Sequence, residues 1–453
     1  MVNRMDIFDV VVIGAGPGGY SAAIRLAQYG KKVAIVEKGN IGGTCLNTGC
    51  IPTKVMIEHS HLVNQIKKAN QLGIGSVEEP LKIDFAKLMK RKEQVVQQLT
   101  FGVESILKKN QVKIFKGEAS VNPDLTVAVG SEILQTKDLL LATGGTPKIP
   151  DIPGIEDVPF LTHKNFFELK ELPINLVIIG QGIHAVNLAF TLGPLGTEVT
   201  IVSEQSSVLG NIDDDAAKIV KHSMKSNNIR MVTKANWKKI TNTELVLMDE
   251  TIPFDHVLLA GQNNPNTDVV RSLNLERELF LKVNGNYQTS HPHVYAIGDV
   301  IGGSTSAGAA LQEGPYVAAQ IAGEIVPFVQ YDAIAGTMYS SPEVAFFGLN
   351  EKSAKEGGRE INVAKSLLSG NGKALAIGET EGYIKLISDK EYGELLGGVV
   401  VAPNATDLIS SLLTVKKSEG TLYELAHMSF PHPSISEAFW EAANSNWNQA
   451  IHM

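Results

Sequence analysis

At 453 residues the chain is too long for one ordinary core, so about two to four domains are expected, and a 43% hydrophobic content is enough to bury each of them. A net charge of −8 with no long run of Lys or Arg leaves no electrostatic footprint for nucleic acid or an anionic membrane, and small-molecule partners are expected instead. Only two cysteines occur, which excludes a disulfide-stapled scaffold and a Cys-rich metal cluster, and no apolar run approaches the roughly 20 residues that cross a bilayer as a helix.

The opening residues, 1–10, carry Arg4 but no apolar stretch long enough for a signal peptide, which points to the cytoplasm. Then comes Asp9-Val-Val-Val-Ile-Gly14-Ala-Gly16-Pro-Gly-Gly19-Tyr20, helix-forming residues from Ser21 to Tyr29, Gly30 as a stop, and Lys32-Val-Ala-Ile-Val-Glu37. The order is strand, glycine turn, helix, strand. In such a unit Gly14 permits the tight turn, Gly16 lets the backbone approach a pyrophosphate, and Gly19 lets helix and strand pack closely. Glu37, ending the second strand, is placed to accept hydrogen bonds from a ribose diol.

Both cysteines lie just beyond, in Ile41-Gly42-Gly43-Thr44-Cys45-Leu-Asn-Thr-Gly49-Cys50-Ile51-Pro52-Thr53-Lys54. A spacing of five, among glycines and helix-capping residues, puts two sulfurs near one turn of structure. In a cytosol such a pair is better explained as catalytic than as structural, and a helix start lowers a thiol's pKa. From Ile83 to Asn110 apolar residues recur at helical spacing (Leu88, Val95, Leu99, Val103, Ile106, Leu107), which predicts long amphipathic helices inserted at about 55–110.

A strand ending in a glycine turn follows, Leu139-Leu-Leu-Ala-Thr143-Gly144-Gly145, and then a Pro-rich, extended crossing, Pro147-Lys-Ile-Pro150-Asp-Ile-Pro153-Gly154. The dinucleotide pattern is repeated from Leu176-Val-Ile-Ile-Gly180-Gln-Gly182-Ile-His-Ala185 through a helix to Gly196 and Glu198-Val-Thr-Ile-Val-Ser203-Glu204, with alanine in place of the third glycine, and it too has a later strand, Val257-Leu-Leu-Ala-Gly261. From about Tyr331 short strands alternate with helices, Val344 to Gly348, Tyr383 to Ser388 and Leu395 to Val401 among them. The fold class is therefore α/β, with two tandem Rossmann-like dinucleotide-binding domains and a C-terminal α+β domain. The expected divisions are 1–148, 149–266, 267–334 and 335–453.

GGTCLNTGC-IP-TK, set between two such glycine motifs, resembles the pyridine nucleotide-disulfide oxidoreductase family, and its Leu-Asn and Ile-Pro choices are most like the branch that works on dihydrolipoyl groups. The resemblance extends over essentially the whole chain. It continues in Ala296-Ile-Gly298-Asp299-Val300, in Gly261-Gln-Asn-Asn-Pro265-Asn266-Thr267, and in Pro431-His432-Pro433-Ser434-Ile435-Ser436-Glu437. It implies FAD on Gly14, Gly16, Gly19, Glu37, Gly43, Thr44, Thr143, Gly144 and Asp299, and NAD on Gly180, Gly182, Ser203, Glu204 and Gly261. It also implies that Cys45 exchanges with a substrate dithiol, that Cys50 forms a charge-transfer pair with the flavin, and that Lys54 lies near the isoalloxazine. His432, oriented by Glu437, would take protons from the dithiol, and in this family that pair comes from the other subunit of a homodimer. A lipoyl-bearing carrier protein or a small dithiol is the implied partner. The chemistry suits His432 independently, since exchange needs a thiolate and an imidazole titrating near neutrality can accept the thiol proton. No metal is expected: His59, His61, His291 and His293 lack matching acidic ligands.

Several residues depart from the pattern. Asn187 stands where the family usually has a Glu paired with the lysine that is Lys54 here, which should leave Lys54 a less compensated charge and raise the flavin's potential. Ser203 holds the usual place of the ribose acid, with Glu204 one residue on. No arginine beside Ser203 favours a 2′-phosphate, so NAD is expected over NADP. Ser306-Ala307-Gly308 and Phe430 replace residues typical of the lipoamide branch. Three readings stay open: an NAD-linked dehydrogenase of dihydrolipoyl groups, a related disulfide reductase or dithiol oxidoreductase with another substrate or acceptor, and a flavin-binding subunit whose nicotinamide site has decayed.

Overall fold

The computed structural model describes residues 7–69, 72–75, 81–210 and 212–452. The stretch through Arg4 read above lies outside them.

The run Val10-Val11-Val12-Ile13 is apolar without alternation, as a parallel strand covered on both faces requires, and it is buried throughout. It forms strand Ile7–Ile13, parallel to Val33–Glu37 on one side and to Glu132–Leu141 on the other. Lys113–Lys116 extends the sheet beyond Val33–Glu37, and Val127–Val129 and Ala119–Val121 continue it as antiparallel strands from Glu132–Leu141. A late segment, Val294–Ala296, joins in parallel beside Leu139–Leu141. Helix Pro17–Gln28 packs on this sheet and on helix Ala307–Ala322. There Gly18 and Gly314 permit the approach: a Cβ on Gly314 would come within 2.5 Å of the Gly18 carbonyl oxygen.

The second unit is a parallel sheet in the order Ile229–Val232, Glu198–Val202, Asn175–Gly180, His256–Ala260, Leu161–Thr162. The chain enters and leaves it along one ribbon, since Gly145–Pro147 pairs antiparallel with Asn263–Pro265. The third unit is a five-stranded antiparallel sheet, Gly336–Met338, Glu343–Gly348, Leu395–Ala402, Tyr383–Asp389, Ile361–Leu367, backed by helices Ala405–Lys417 and Glu437–Ser445. The three strands expected from sequence are found to within a residue. Ile361–Leu367 was not anticipated, and the reason is its edge position: only Ala364 and Ser366 of its seven residues are buried, so it lacks an apolar run.

The inserted helices are Cys50–Ala69 and Phe85–Lys109. Leu99 and Ile106, expected on the buried stripe of the second, are exposed (40% and 47%). That helix is held near its ends, by Phe85, Met89 and Lys92 and by Leu107, and Lys92 buries its stem while its Nζ donates to the Phe167 carbonyl at 2.9 Å. The second and third units are joined by a buried charge network. Lys385, 3% exposed, donates to Asp213 and Glu351 at 2.8 Å and to Asp215 at 3.1 Å, while Tyr383 donates to Asp213 and Lys365 to Asp215. Asp213 also caps helix Asp214–Ser226. Among the described residues no helix is long and apolar enough to cross a membrane.

Candidate active site

The cysteine loop is seated on the first glycine turn. Gly43 lies so close to it that a Cβ would come within 2.7 Å of Gly16 Cα, and the Asn47 amide donates to the carbonyls of Ile41 and Gly43 at 3.0 and 2.9 Å. Cys45 falls in the short helix Gly43–Asn47, and Cys50 opens helix Cys50–Ala69. Both are free thiols that hydrogen-bond to one another. The bond from Cys45 stabilises the Cys50 thiolate and, helped by the Lys54 charge and against the effect of burial, holds the Cys50 pKa down at about 7. The same bond, with burial, pushes Cys45 far up. One sulfur is therefore poised as a thiolate near neutrality and the other as its proton-bearing partner.

Lys54 follows Cys50 by one helical turn, and its Nζ rests on the ring of Tyr339 from the third unit. Among the described residues no carboxylate forms an ion pair with it. Burial pulls its pKa down to about 7, offset by the charges of Cys50 and then of Glu343. The less compensated charge expected of Lys54 from sequence is thus one that burial also opposes. Asn187 does not replace the missing acid: its side-chain oxygen accepts from the Tyr339 backbone N–H at 2.7 Å and so holds the ring that carries Lys54. Glu343, missed in the sequence, is the buried carboxylate of this surround, and it accepts from the Thr406 N–H and hydroxyl.

Around the first glycine turn, Glu37 accepts from the N–H groups of Ala15 and Gly39, each at 2.7 Å, which fixes the carboxylate at the end of its strand. Helix Pro17–Gln28 starts at Gly16 with no side-chain cap, and no atom lies within 4 Å of where a Gly16 or Gly144 Cβ would stand. Free N–H groups facing open space fit a dinucleotide pyrophosphate. Thr143 is tied to Asn266 by reciprocal bonds of 2.7 and 2.9 Å. Thr44 is exposed beside Cys45. Burial raises the pKa of Asp299, against a hydrogen bond from Asn263, and its charge is felt at Cys50. The Asp299 turn is held by a further buried residue, Glu313, which accepts from the Gly298 N–H at 2.7 Å and from the Tyr331 hydroxyl at 2.6 Å.

The second turn repeats the first. Helix Gly182–Leu192 has no side-chain cap, and the spaces before Gly182 and Gly261 are open. Gly180 sits where a Cβ would strike the Ala260 carbonyl oxygen. Ser203 is buried, with its hydroxyl donating to Gln181 at 2.8 Å and accepting from the Gln205 N–H, whereas Glu204 is exposed. The residue in the acid's place therefore braces the turn, and Glu204 is left as the carboxylate available to a ribose. Two histidines passed over in the sequence also lie here, His163 and His184, with ring centroids 6.1 Å apart. The signal available was an imidazole inside the glycine motif itself.

At the far end of the chain His432 is 82% exposed and its Nδ1 lies 2.7 Å from Glu437, whose other oxygen accepts from the Ser434 N–H. Within one chain no hydrogen bond joins His432 to Cys45, Cys50 or Lys54.

Residues 8–314 match the family model described as pyridine nucleotide-disulphide oxidoreductase, and residues 334–443 match that family's dimerisation domain. The chain belongs to the pyridine nucleotide-disulphide oxidoreductases. Similar proteins include dihydrolipoyl dehydrogenases of Geobacillus stearothermophilus (37% identical, covering 98% of this chain and 97% of that one) and of Bacillus subtilis strain 168 (32%, covering 98% and 99%). Among solved structures, LpdA of Mycobacterium tuberculosis superposes with a TM-score of 0.88 at 25% identity over 96% of this chain and 99% of that one. The HOCl-induced flavoprotein disulfide reductase RclA of Escherichia coli, in its Cu(II) complex, shares the fold with a TM-score of 0.87 at 24% identity over 97% and 100%. As a pyridine nucleotide-disulphide oxidoreductase the chain is an FAD-dependent, NAD-linked enzyme of dithiol and disulfide chemistry, and its dimerisation domain supports a homodimer.

Proposed function

We propose that this oxidoreductase is a cytoplasmic dihydrolipoyl dehydrogenase, which oxidises the dihydrolipoyl group of a carrier protein or a small dithiol and reduces NAD. Its working form is a homodimer in which His432 and Glu437 of one subunit serve Cys45 and Cys50 of the other. The domain division of this reading is FAD-binding 1–148, NAD-binding 149–266, a central segment 267–334 completing the FAD site, and an interface domain 335–453. The observation that carries it is the divided thiol pair, Cys50 held at about 7 beside Lys54 with Cys45 keeping its proton. An exposed imidazole already bonded to a carboxylate suits service to a neighbouring subunit.

In the oxidised enzyme Cys45 and Cys50 form a disulfide. His432 takes a proton from one substrate thiol, whose sulfur attacks Cys45. A mixed disulfide forms, the Cys45–Cys50 bond breaks, and Cys50 leaves as a thiolate, stabilised by Lys54 and the helix start. The second substrate thiol then displaces Cys45, closing the substrate's own disulfide, and Cys45 leaves as the thiol that bonds Cys50. Glu437 fixes the His432 tautomer and stabilises its protonated form. The Gly14–Gly19 turn, Glu37 and Asp299 would hold FAD, which when bound would supply two-electron transfer between the dithiol and NAD.

The test is an anaerobic titration with dihydrolipoamide followed by NAD. A long-wavelength thiolate-flavin band that NAD discharges, with NADH formed, is the expected result. Without the band, lipoamide is the wrong substrate. A second reading, a dithiol oxidoreductase with another acceptor, is favoured by Asn187 and Ser203, and it predicts a band that NAD leaves untouched.

A further inference from the structure

His184 is the third residue of helix Gly182–Leu192, beside the open space at Gly182, and it is solvent-exposed. Asn187 follows three residues later, and a spacing of three keeps two side chains on neighbouring parts of one helix face. Asn187 holds Tyr339, and Tyr339 carries Lys54, one turn from Cys50. This face therefore leads from the second glycine turn toward the redox pair. A dinucleotide whose pyrophosphate rests on the turn must send its nicotinamide along the same line to reach a flavin beside Cys50. His163 stands behind His184, just past strand Leu161–Thr162, with the two rings edge-to-face at 71°. It is only 5% exposed, and its Nε2 has no hydrogen-bond partner. That atom is one of six buried side-chain polar atoms left unpaired among the described residues, and the one whose ring packs against His184 beside the open turn, where a polar ligand group would be accommodated.

We propose that His184, positioned by His163, is the residue that recognises the carboxamide of the nicotinamide in this enzyme. Burial lowers the pKa of His163 to about 4, with His184 and Lys164 as the further charges acting on it, and desolvation by the protein packed about one side of the partly exposed His184 ring lowers that group too. At neutral pH the His163 imidazole is uncharged, and the downward shift at His184 favours its neutral form. A neutral imidazole offers one donor and one acceptor, the complement of a carboxamide, and it does not repel the cationic ring of oxidised nicotinamide, whereas a lysine or arginine there would.

The inference rests on the reading of Gly180–Gly182 as the NAD turn, and the test separates the two. Dissociation constants of NAD and of ADP-ribose, which lacks the nicotinamide, are measured by calorimetry on the oxidised FAD-loaded protein. His184→Leu should weaken NAD about tenfold, the loss of roughly one net hydrogen bond, and leave ADP-ribose unchanged. His184→Gln, which keeps a donor and an acceptor, should recover most of the affinity. His163→Ser should weaken NAD by a smaller factor, again with ADP-ribose unaffected. Unchanged NAD affinity in His184→Leu, or an equal loss for both ligands, overturns the role of the histidine. Failure of the unmodified protein to bind ADP-ribose at all overturns the reading of the turn.

Discussion

Replacing Lys54 by Met in a Cys45→Ser background tests the electrostatics of the redox pair at its most exposed point, because only one thiol then remains to titrate. In the structure Cys50 falls from an ordinary 9.0 to about 7, with the Cys45 bond as the largest cause, burial acting against it, and Lys54 the next aid. Serine keeps a hydroxyl donor at position 45, so the change isolates the lysine. Its share is smaller than the bond's, and a loss of about one pKa unit, about 1.4 kcal/mol, is expected. That is the coupling of two unit charges about 12 Å apart at an effective dielectric of about 20, so it asks only that both groups share one cavity. Thiolate at pH 7 would drop from about a half to about a tenth, and alkylation by iodoacetamide would slow about fivefold while its pH profile moves up by the same unit. The assay is the alkylation rate between pH 5 and 10, with loss of the thiolate-flavin band as a second signal in the FAD-loaded protein. A profile that moves by less than about 0.3 units would show that Lys54 does not set the Cys50 charge and would refute the reasoning.

Other parts of the site yield sharper single tests. Asn187→Glu places a carboxylate beside the Tyr339 platform, so the lysine near pH 7 should titrate at least about one unit higher, read as an upward move of the break in the flavin's potential-versus-pH plot; an unmoved break would place position 187 out of reach of Lys54. Glu437→Gln keeps the shape but removes the charge fixing His432. Stopped-flow flavin reduction by dihydrolipoamide should slow by at least about tenfold, a part of the ~10²–10⁴ that a positioned base supplies, with flavin reduction by NADH unchanged. Lys385→Met strips the cation from Asp213, Asp215 and Glu351 and should cost about 3–5 kcal/mol, seen by scanning calorimetry as a drop of about 6–20 °C in the transition of the linked units.

The parts of this molecule that announce themselves in sequence are those whose chemistry is local. The Gly14 and Gly180 turns, the apolar strands leading into them, and Cys45 with Cys50 each lie within a few consecutive residues, and each is found in the expected element. What escaped is assembled from distant segments. Tyr339 and Glu343 surround Lys54 from another unit, the bond by which Asn187 holds Tyr339 crosses between units, and Glu313 reaches back 15 residues to hold the Asp299 turn. No periodicity marks such pairings, because each residue taken alone resembles an ordinary core or loop position. Lys385 gives the plainest case: a lysine in a strand predicts an exposed edge, yet here Asp213 and Asp215 of another unit, with Glu351 of its own, make burial tolerable. Ser203 was read from its place in the pattern as a ligand, and only its contact with Gln181 shows it bracing the turn.

The ribbon formed by Gly145–Pro147 and Asn263–Pro265 means that the first sheet is interrupted in sequence and closed only when Val294–Ala296 arrives beside Leu139–Leu141. A ribosome making this protein exposes the first glycine turn, the cysteine loop and most of the flavin's bed early, then spends about 150 residues, roughly 8–30 s at ordinary elongation rates, before Asp299 emerges to complete it. During that interval the nascent chain carries a half-built sheet with an open edge and a reactive dithiol. On the proposed role of Asp299, flavin capture is an event of late synthesis, and a truncation anywhere in the second unit should leave the first one colourless even though its own motif is intact.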